Sequence, residues 1–287
     1  SSTTSDAIIL GGNANGTGDT LQFTNAELQS IAATTLTIGA SGAGAITISG
    51  DVTPGSGSGG NVTTGALITG STITATAGGI VETNLALTAG GTVNFTDTTT
   101  DVDNLAVSAA SQTVTFTDLD GIDIDTVAGV VGVTATEFRL TAAGAVTQAQ
   151  AIAVTSLVVV TTGTGAVTLT NASNAVTNLA IDVNSGNIAY TDSDGFSVTT
   201  VNSVTGVDTD SGSVALTATT GNLAVVNTAA GNDIDATTTI ALTATADGPT
   251  AAEIMEHLEI APADAFSAGF DRPNIRYAIE EKDNPRA

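Results

Sequence analysis

Hydrophobic and polar residues alternate in short runs along most of the chain. Leu36-Thr-Ile38, Ile46-Thr-Ile48-Ser, Val93-Asn-Phe95-Thr, Val114-Thr-Phe116-Thr, Val167-Thr-Leu169-Thr and Val214-Ala-Leu216-Thr each put apolar side chains on one face and small or polar ones on the other. A period of two predicts half-buried strands, and β-branched residues suit a pleated surface. Gly, Asn and Asp separate the runs, as in Gly90-Gly91, Asp120-Gly121, Gly163-Thr-Gly165 and Ser185-Gly186. These residues tolerate the backbone conformations of tight turns. No helical spacing stands out before Asp247, so residues 1–246 read as all-β.

The runs also repeat. Val93-Asn-Phe95-Thr-Asp97 matches Val167-Thr-Leu169-Thr-Asn171, and Asn104-Leu-Ala-Val107 matches Asn178-Leu-Ala-Ile181. Phe116-Thr-Asp-Leu-Asp-Gly-Ile122 matches Tyr190-Thr-Asp-Ser-Asp-Gly-Phe196. Thr126-Val127 matches Thr200-Val201, and Gly132-Val133 matches Gly206-Val207. Every pair is offset by 74 positions. A shorter step lies inside the unit: Phe95 to Phe116 and Leu169 to Tyr190 are 21 residues, and Asn84-Leu85 to Asn104-Leu105 is 20. Such a step is too short for a four-stranded propeller blade, and a 74-residue unit fits a sandwich poorly. It fits one coil of a parallel β-solenoid, whose coils are spaced by about 4.8 Å. Twelve or so coils would make a rod roughly 55–60 Å long.

Composition divides the chain in two. Its 287 residues carry a formal charge of −24, with no Cys and one His. From Ser1 to Asp247 there are 21 acids and one base, Arg139; the last 40 residues hold eight acids and four bases. The absence of thiols excludes a disulfide scaffold or zinc-thiolate site, and no apolar run is long enough for a membrane-spanning helix. Phosphate neutralisation is absent over most of the length, so nucleic acid is not an expected partner, and no cofactor is expected.

The Asn-Leu-Ala-Val, Phe-Thr-Asp-x-Asp-Gly and Ala-Leu-Thr-Ala-Thr-Thr-Gly strings resemble the haemagglutinin-type repeats of very large bacterial exoproteins, over roughly Leu21 to Ala246. The resemblance implies a secreted or surface-held right-handed parallel β-helix used as an adhesin stalk, with a host receptor or glycan as partner. It implies no enzymatic activity and no membrane insertion. The chain starts at Ser1 without Met, as expected of a fragment or processed piece. Exposed end coils invite end-to-end association, which the net charge opposes at low salt. Ordered self-assembly would instead mark a surface-array subunit.

Asp97-Asp101-Asp103, Asp118-Asp120-Asp123-Asp125 and Asp192-Asp194 are the acidic clusters. Turn chemistry at coil corners is one reading; a calcium site or a pair of carboxylates for glycoside hydrolysis are others. Asp118-Leu-Asp120-Gly121 is similar to the middle of a calcium loop, but Phe116, and Tyr190 in the second copy, stand where that loop needs a carboxylate. Asp118, Asp120, Asp192 and Asp194 are therefore weak calcium candidates.

The tail, 247–287, reads differently. Pro249-Thr250-Ala-Ala-Glu253 opens a helix with a capping box, expected to run to about Glu259, and a strand is expected to reach Ile279. His257, between Glu256 and Glu259, reads as a solvated surface residue. Ile240-Ala-Leu-Thr-Ala-Thr-Ala246 and Phe270-Asp-Arg-Pro-Asn-Ile-Arg-Tyr277 resemble RecQ-type DNA helicases. Matched to motif III of that family, Thr243 and Thr245 are its hydroxyls, and Arg272 and Asn274 belong to the connection between the motor lobes. A phosphate-binding loop, an Asp-Glu-x-His box and an arginine finger are absent, so this chain is not expected to hydrolyse ATP or separate strands. The string Ile240–Ala246 shares five residues with the solenoid's own Val214-Ala-Leu-Thr-Ala-Thr-Thr-Gly221. The expected reading is a chimera joined near Ala246, whose tail either caps the last coil or hangs loosely from it.

Overall fold

The computed structural model describes residues 6–12, 20–56, 61–226 and 233–244. The expected tail helix and strand, His257, Thr245, Arg272 and Asn274 lie outside them. Within them the chain winds as a parallel β-solenoid of about eight turns.

One column of inward side chains shows the winding. Ile48, Ala75, Phe95, Phe116, Leu140, Val159, Ile181, Val207 and Ile234 are register partners in succession, each on a strand parallel to the last. The first eight are buried, and Ile234 packs against them. A second column runs through Ile38, Leu67, Leu87, Val107, Val133 and Ile152. Alternation in sequence thus becomes stacking in space: apolar residues of one coil rest on those of the next, with Thr largely outside. Eight steps at the parallel-strand spacing give a height of about 38 Å. The twelve coils and 55–60 Å expected from a uniform step are too many, because the step in the first column varies from 19 to 27 residues.

The 74-residue repeat has a geometric meaning. Phe95 and Ile181 lie four turns apart in one column. Val107, which matches Ile181 at the repeat offset, stands in the other column. The repeat therefore spans about three and a third turns, and equivalent residues stand in different columns.

Two antiparallel hairpins break the winding at equivalent places. Thr126–Val127 pairs with Val130–Val131, and Thr200–Val201 with Val204–Thr205. Each inserts between two residues whose partners in the preceding coil are only two positions apart: Ile124 and Val133 face Leu105 and Val107, while Val198 and Val207 face Leu179 and Ile181. Val127 and Val130 fold back over the outward stripe Ala66, Ala86 and Ala106. Val201 and Val204 cover Val158 and Ala180. Both two-residue turns hold positive φ at their central residues, Ala128 and Gly129 in the first, Asn202 and Ser203 in the second. That is the turn type whose twist suits a tight hairpin. Ser203, at φ 71, occupies the place that Gly129 takes in the first hairpin. Ser203→Gly should stabilise the protein by about 0.5–1 kcal/mol through relief of this backbone strain. A thermal melt with an unchanged or lowered midpoint would contradict this.

Glycine is needed where coil corners touch. A Cβ on Gly165 would lie 2.3 Å from the Gly144 carbonyl carbon, and one on Gly212 would lie 2.1 Å from the Gly186 oxygen.

The expectation of no helix before Asp247 is corrected at one place. Asn25–Gln29 form a short helix, α1. Thr24 caps it: its Oγ1 accepts from the Glu27 N–H at 3.2 Å, while Glu27 accepts from the Thr24 N–H at 2.8 Å. The helix buries one side chain, Leu28, against the first coils. A single turn is too short to produce a visible helical period, so only its capping box could have announced it.

Candidate functional site

The acidic clusters are spread over coil corners and strands, and two of their carboxylates are turned inward. Asp118 ends the strand Asp101–Asp118, and Asp192 ends the strand Ile188–Asp192. Both are buried. Asp118 accepts from the Val102 N–H at 3.0 Å and from the Asp120 N–H at 3.2 Å. Asp192 accepts from the Val176 N–H at 3.0 Å, from the Asp194 and Gly195 N–H groups at 3.2 Å each, and from the Tyr190 hydroxyl at 2.7 Å. In both copies the carboxylate reaches the amide of a strand residue 16 positions earlier. Each closes a corner by satisfying backbone donors that winding leaves free.

Among the remaining acids, Asp97, Asp120 and Asp194 bond locally, and Asp123 bonds across coils. Asp120 and Asp194 each accept from the following glycine N–H, at 2.5 and 3.0 Å. Asp97 accepts from the Thr99 N–H at 2.9 Å, and Asp123 from the Thr147 hydroxyl at 2.5 Å. This is turn chemistry and hydroxyl pairing. The Asp118–Asp120 and Asp192–Asp194 corners belong to different columns and form two separate places. Among the described residues, no three of His, Cys, Asp and Glu are grouped so as to hold a metal ion. Arg139 is paired with Glu137 on its own strand at 2.5 Å.

Asn174 and Glu82 are buried polar residues that belong to none of the acidic clusters. Asn174 joins three coils: its carbonyl accepts from the Ile152 N–H at 2.9 Å and from the Gln148 amide at 2.8 Å, and its amide donates to the Thr191 carbonyl at 2.9 Å. Glu82 is buried, and its Oε1 has no hydrogen-bond partner. Glu82 is the register partner of Val102. The 20-residue step aligns this acid with an inward valine, and that is the signal for it in the sequence.

Burial pushes the Glu82 carboxyl up to about 7. Burial, followed by the neighbouring Asp120 and Asp101 charges, holds Asp118 up to about 7, against backbone hydrogen bonds from Asp120 and Val102 that favour its ionised form. Burial also raises Asp192, and raises the Tyr190 hydroxyl with help from the Asp192 charge. Ordinary values are 4.5 for Glu and 3.8 for Asp. Between those values and about 7 the folded chain keeps protons that the unfolded chain has lost. Stability is therefore highest on the acid side and declines as pH rises through this window. The melting midpoint should be higher at pH 5 than at pH 7.5, and Asp118→Asn should flatten the difference. Calorimetry showing a midpoint that climbs from pH 5 to 7.5 would overturn this.

The RecQ-like string enters the solenoid. Ile240-Ala-Leu-Thr243 is a strand lying in register on Val214-Ala-Leu-Thr217. Thr243 therefore stands on a solenoid rung opposite Thr217.

No protein-family model and no solved structure matches the chain. A stretch of 46 residues, 16% of the chain, is 50% identical to the ATP-dependent DNA helicase RecQ of Haemophilus influenzae. A stretch of the same length is 48% identical to the ATP-dependent DNA helicase RecQ of Pasteurella multocida. In each case the match spans 7% of the relative's length. The chain thus carries a short likeness to RecQ helicases, attached to a solenoid that makes up nearly all of the described structure.

Proposed function

We propose that the solenoid is a non-enzymatic stalk segment of a secreted or surface-held bacterial exoprotein of the haemagglutinin-repeat kind. The observation that carries this reading is the unbroken column from Ile48 to Ile234. Each coil is held by its neighbours, so a rod of any length keeps the same local packing and can hold a distal region away from a cell. The outward surface suits a solvated stalk, because acids and threonines predominate and the described residues contain one base. Its partners are a host receptor or a surface glycan, with end-to-end association as a second mode. Among the described residues no helix is long and apolar enough to cross a membrane. Antibodies against the solenoid, applied to intact and fractionated source cells, test the assignment. Signal in the medium or on intact cells is expected; signal confined to the cytosol would remove the stalk reading.

The 46-residue likeness supports a second statement, that the tail descends from a RecQ-type helicase and was joined to the solenoid near Ala246. Thr243 then serves a strand of the rod in place of a motor. Nucleotide should leave the thermal midpoint unchanged, and a shift with ATP would favour a functional helicase remnant. A single genomic read across codons 236 to 250 tests the joint, because an interrupted read would mark it as artefact.

A further inference from the structure

Glu82 is the one buried carboxylate among the described residues with a side-chain oxygen that lacks a partner. It borders a void of about 20 Å³ whose other walls include Leu10, Leu28, Leu36, Leu67 and Leu85. A void of that size holds one water at most, and these walls offer that water too few hydrogen bonds. Leu28 is the single buried side chain of helix α1. The helix is fastened to the turn after Val52: the Gly55 N–H donates to the Leu28 carbonyl at 3.2 Å, the Thr53 N–H to Asn25 at 2.9 Å, and the Gln29 amide to the Thr53 hydroxyl at 2.7 Å.

The charged groups around Glu82 are all acidic. Asp101 and Asp103 border the outer groove beside it. Glu27 on α1 is engaged in its own capping box. Asp51 accepts from the Gly79 N–H and the Thr99 hydroxyl. Arg139 is committed to Glu137. An ionised Glu82 therefore has no counter-charge from these groups and no hydrogen-bond donor for its inner oxygen, and an unpaired buried charge is too costly to keep. Water is its remedy, and Leu28, one wall of the void, is carried by a five-residue helix that cannot hold its shape undocked.

We propose that helix α1 and the Thr53–Gly55 turn form a pH-gated cap on the first coils, docked while Glu82 is neutral and released when Glu82 ionises. The cap closes on acidification and opens as pH rises past neutrality, since burial favours the protonated acid. Release uncovers Leu10, Leu36 and Leu67, an apolar end that the docked Leu28 covers.

Hydrogen exchange on the full chain, with rates corrected for intrinsic pH dependence, tests this. Amides of Asn25–Ile31 should lose protection at least roughly tenfold between pH 5.5 and pH 8.5, while Val154–Leu169 keep theirs. Glu82→Gln should hold Asn25–Ile31 protected at both pH values. Glu82→Met gives the same readout if the glutamine variant fails to fold. Equal protection of the wild-type cap at both pH values would overturn the proposal, as would a loss that persists in the folded variant.

Discussion

Phe116→Ala should destabilise the solenoid by about 3–5 kcal/mol, the range for removing a fully buried phenylalanine. Phe116 is 0% exposed and lies in the inward column between Phe95 and Leu140. Its ring stacks on Phe95 with centroids 5.1 Å apart and planes at 26°. Coils contribute stability through contact with their neighbours, so a hole at this rung weakens two interfaces at once. Its neighbours cannot collapse into the hole easily, because their height is fixed by strand pairing on both sides. Leu119, three residues on and 51% exposed, is the control: Leu119→Ala should change stability by no more than about 0.5 kcal/mol. Urea unfolding followed by circular dichroism distinguishes the two. Phe116→Ala should also blur the transition, as the coils on either side unfold more independently. A loss below about 1 kcal/mol would mean that the column does not carry the stability assigned to it.

Phe116 also shows how much of the fold is legible in the amino-acid sequence. Its 21-residue distance from Phe95 is plain from the residues alone, and the two are register partners. The same holds for Leu169 and Tyr190. Side chains that recur at the coil length must stack, so the step announces the column directly. The 74-residue offset is equally plain, but its meaning is not: the column that each equivalent residue enters depends on counting fractions of a turn, and the coil length varies. The hairpins stay hidden because Thr126-Val127 and Val130-Val131 carry the same β-branched residues as the coils. Their best sign is indirect. Ala86, Ala106 and Ala180 stand between inward leucine, valine or isoleucine residues at positions that should face water, and they are buried beneath neighbouring valines. The acids divide in the same way. Turn chemistry at Asp120 and Asp194 follows from the glycine after each. The inward turn of Asp118 and Asp192 follows from the strand phase set by Phe116 and Tyr190, two residues earlier on the same face. Glu82 breaks the apolar pattern at a position where the next coil has Val102, and such a breach in a regular column marks the residue worth testing.

Asp192→Ala should cost about 2–5 kcal/mol, because it strips several buried donors of their acceptor. The Val176 N–H and the Tyr190 hydroxyl both point at Oδ2, and the Asp194 and Gly195 amides at Oδ1. Water reaches none of the carboxylate, which is 0% exposed, so the abandoned donors at Val176 and Tyr190 have no easy substitute. Asp192→Asn separates hydrogen bonding from charge. Its one carbonyl oxygen can serve one side of the corner, but its amide must then face donors on the other, so it recovers part of the loss. Asp192→Ala with Tyr190→Phe removes the stranded hydroxyl and should recover part of the loss by a different route, since Tyr190 packs edge-on to Phe196 and keeps that contact as phenylalanine. Coupling of at least about 0.5 kcal/mol in this double-mutant cycle is expected. Strict additivity would show that the carboxylate and the hydroxyl act independently, and that the corner is held by its backbone alone.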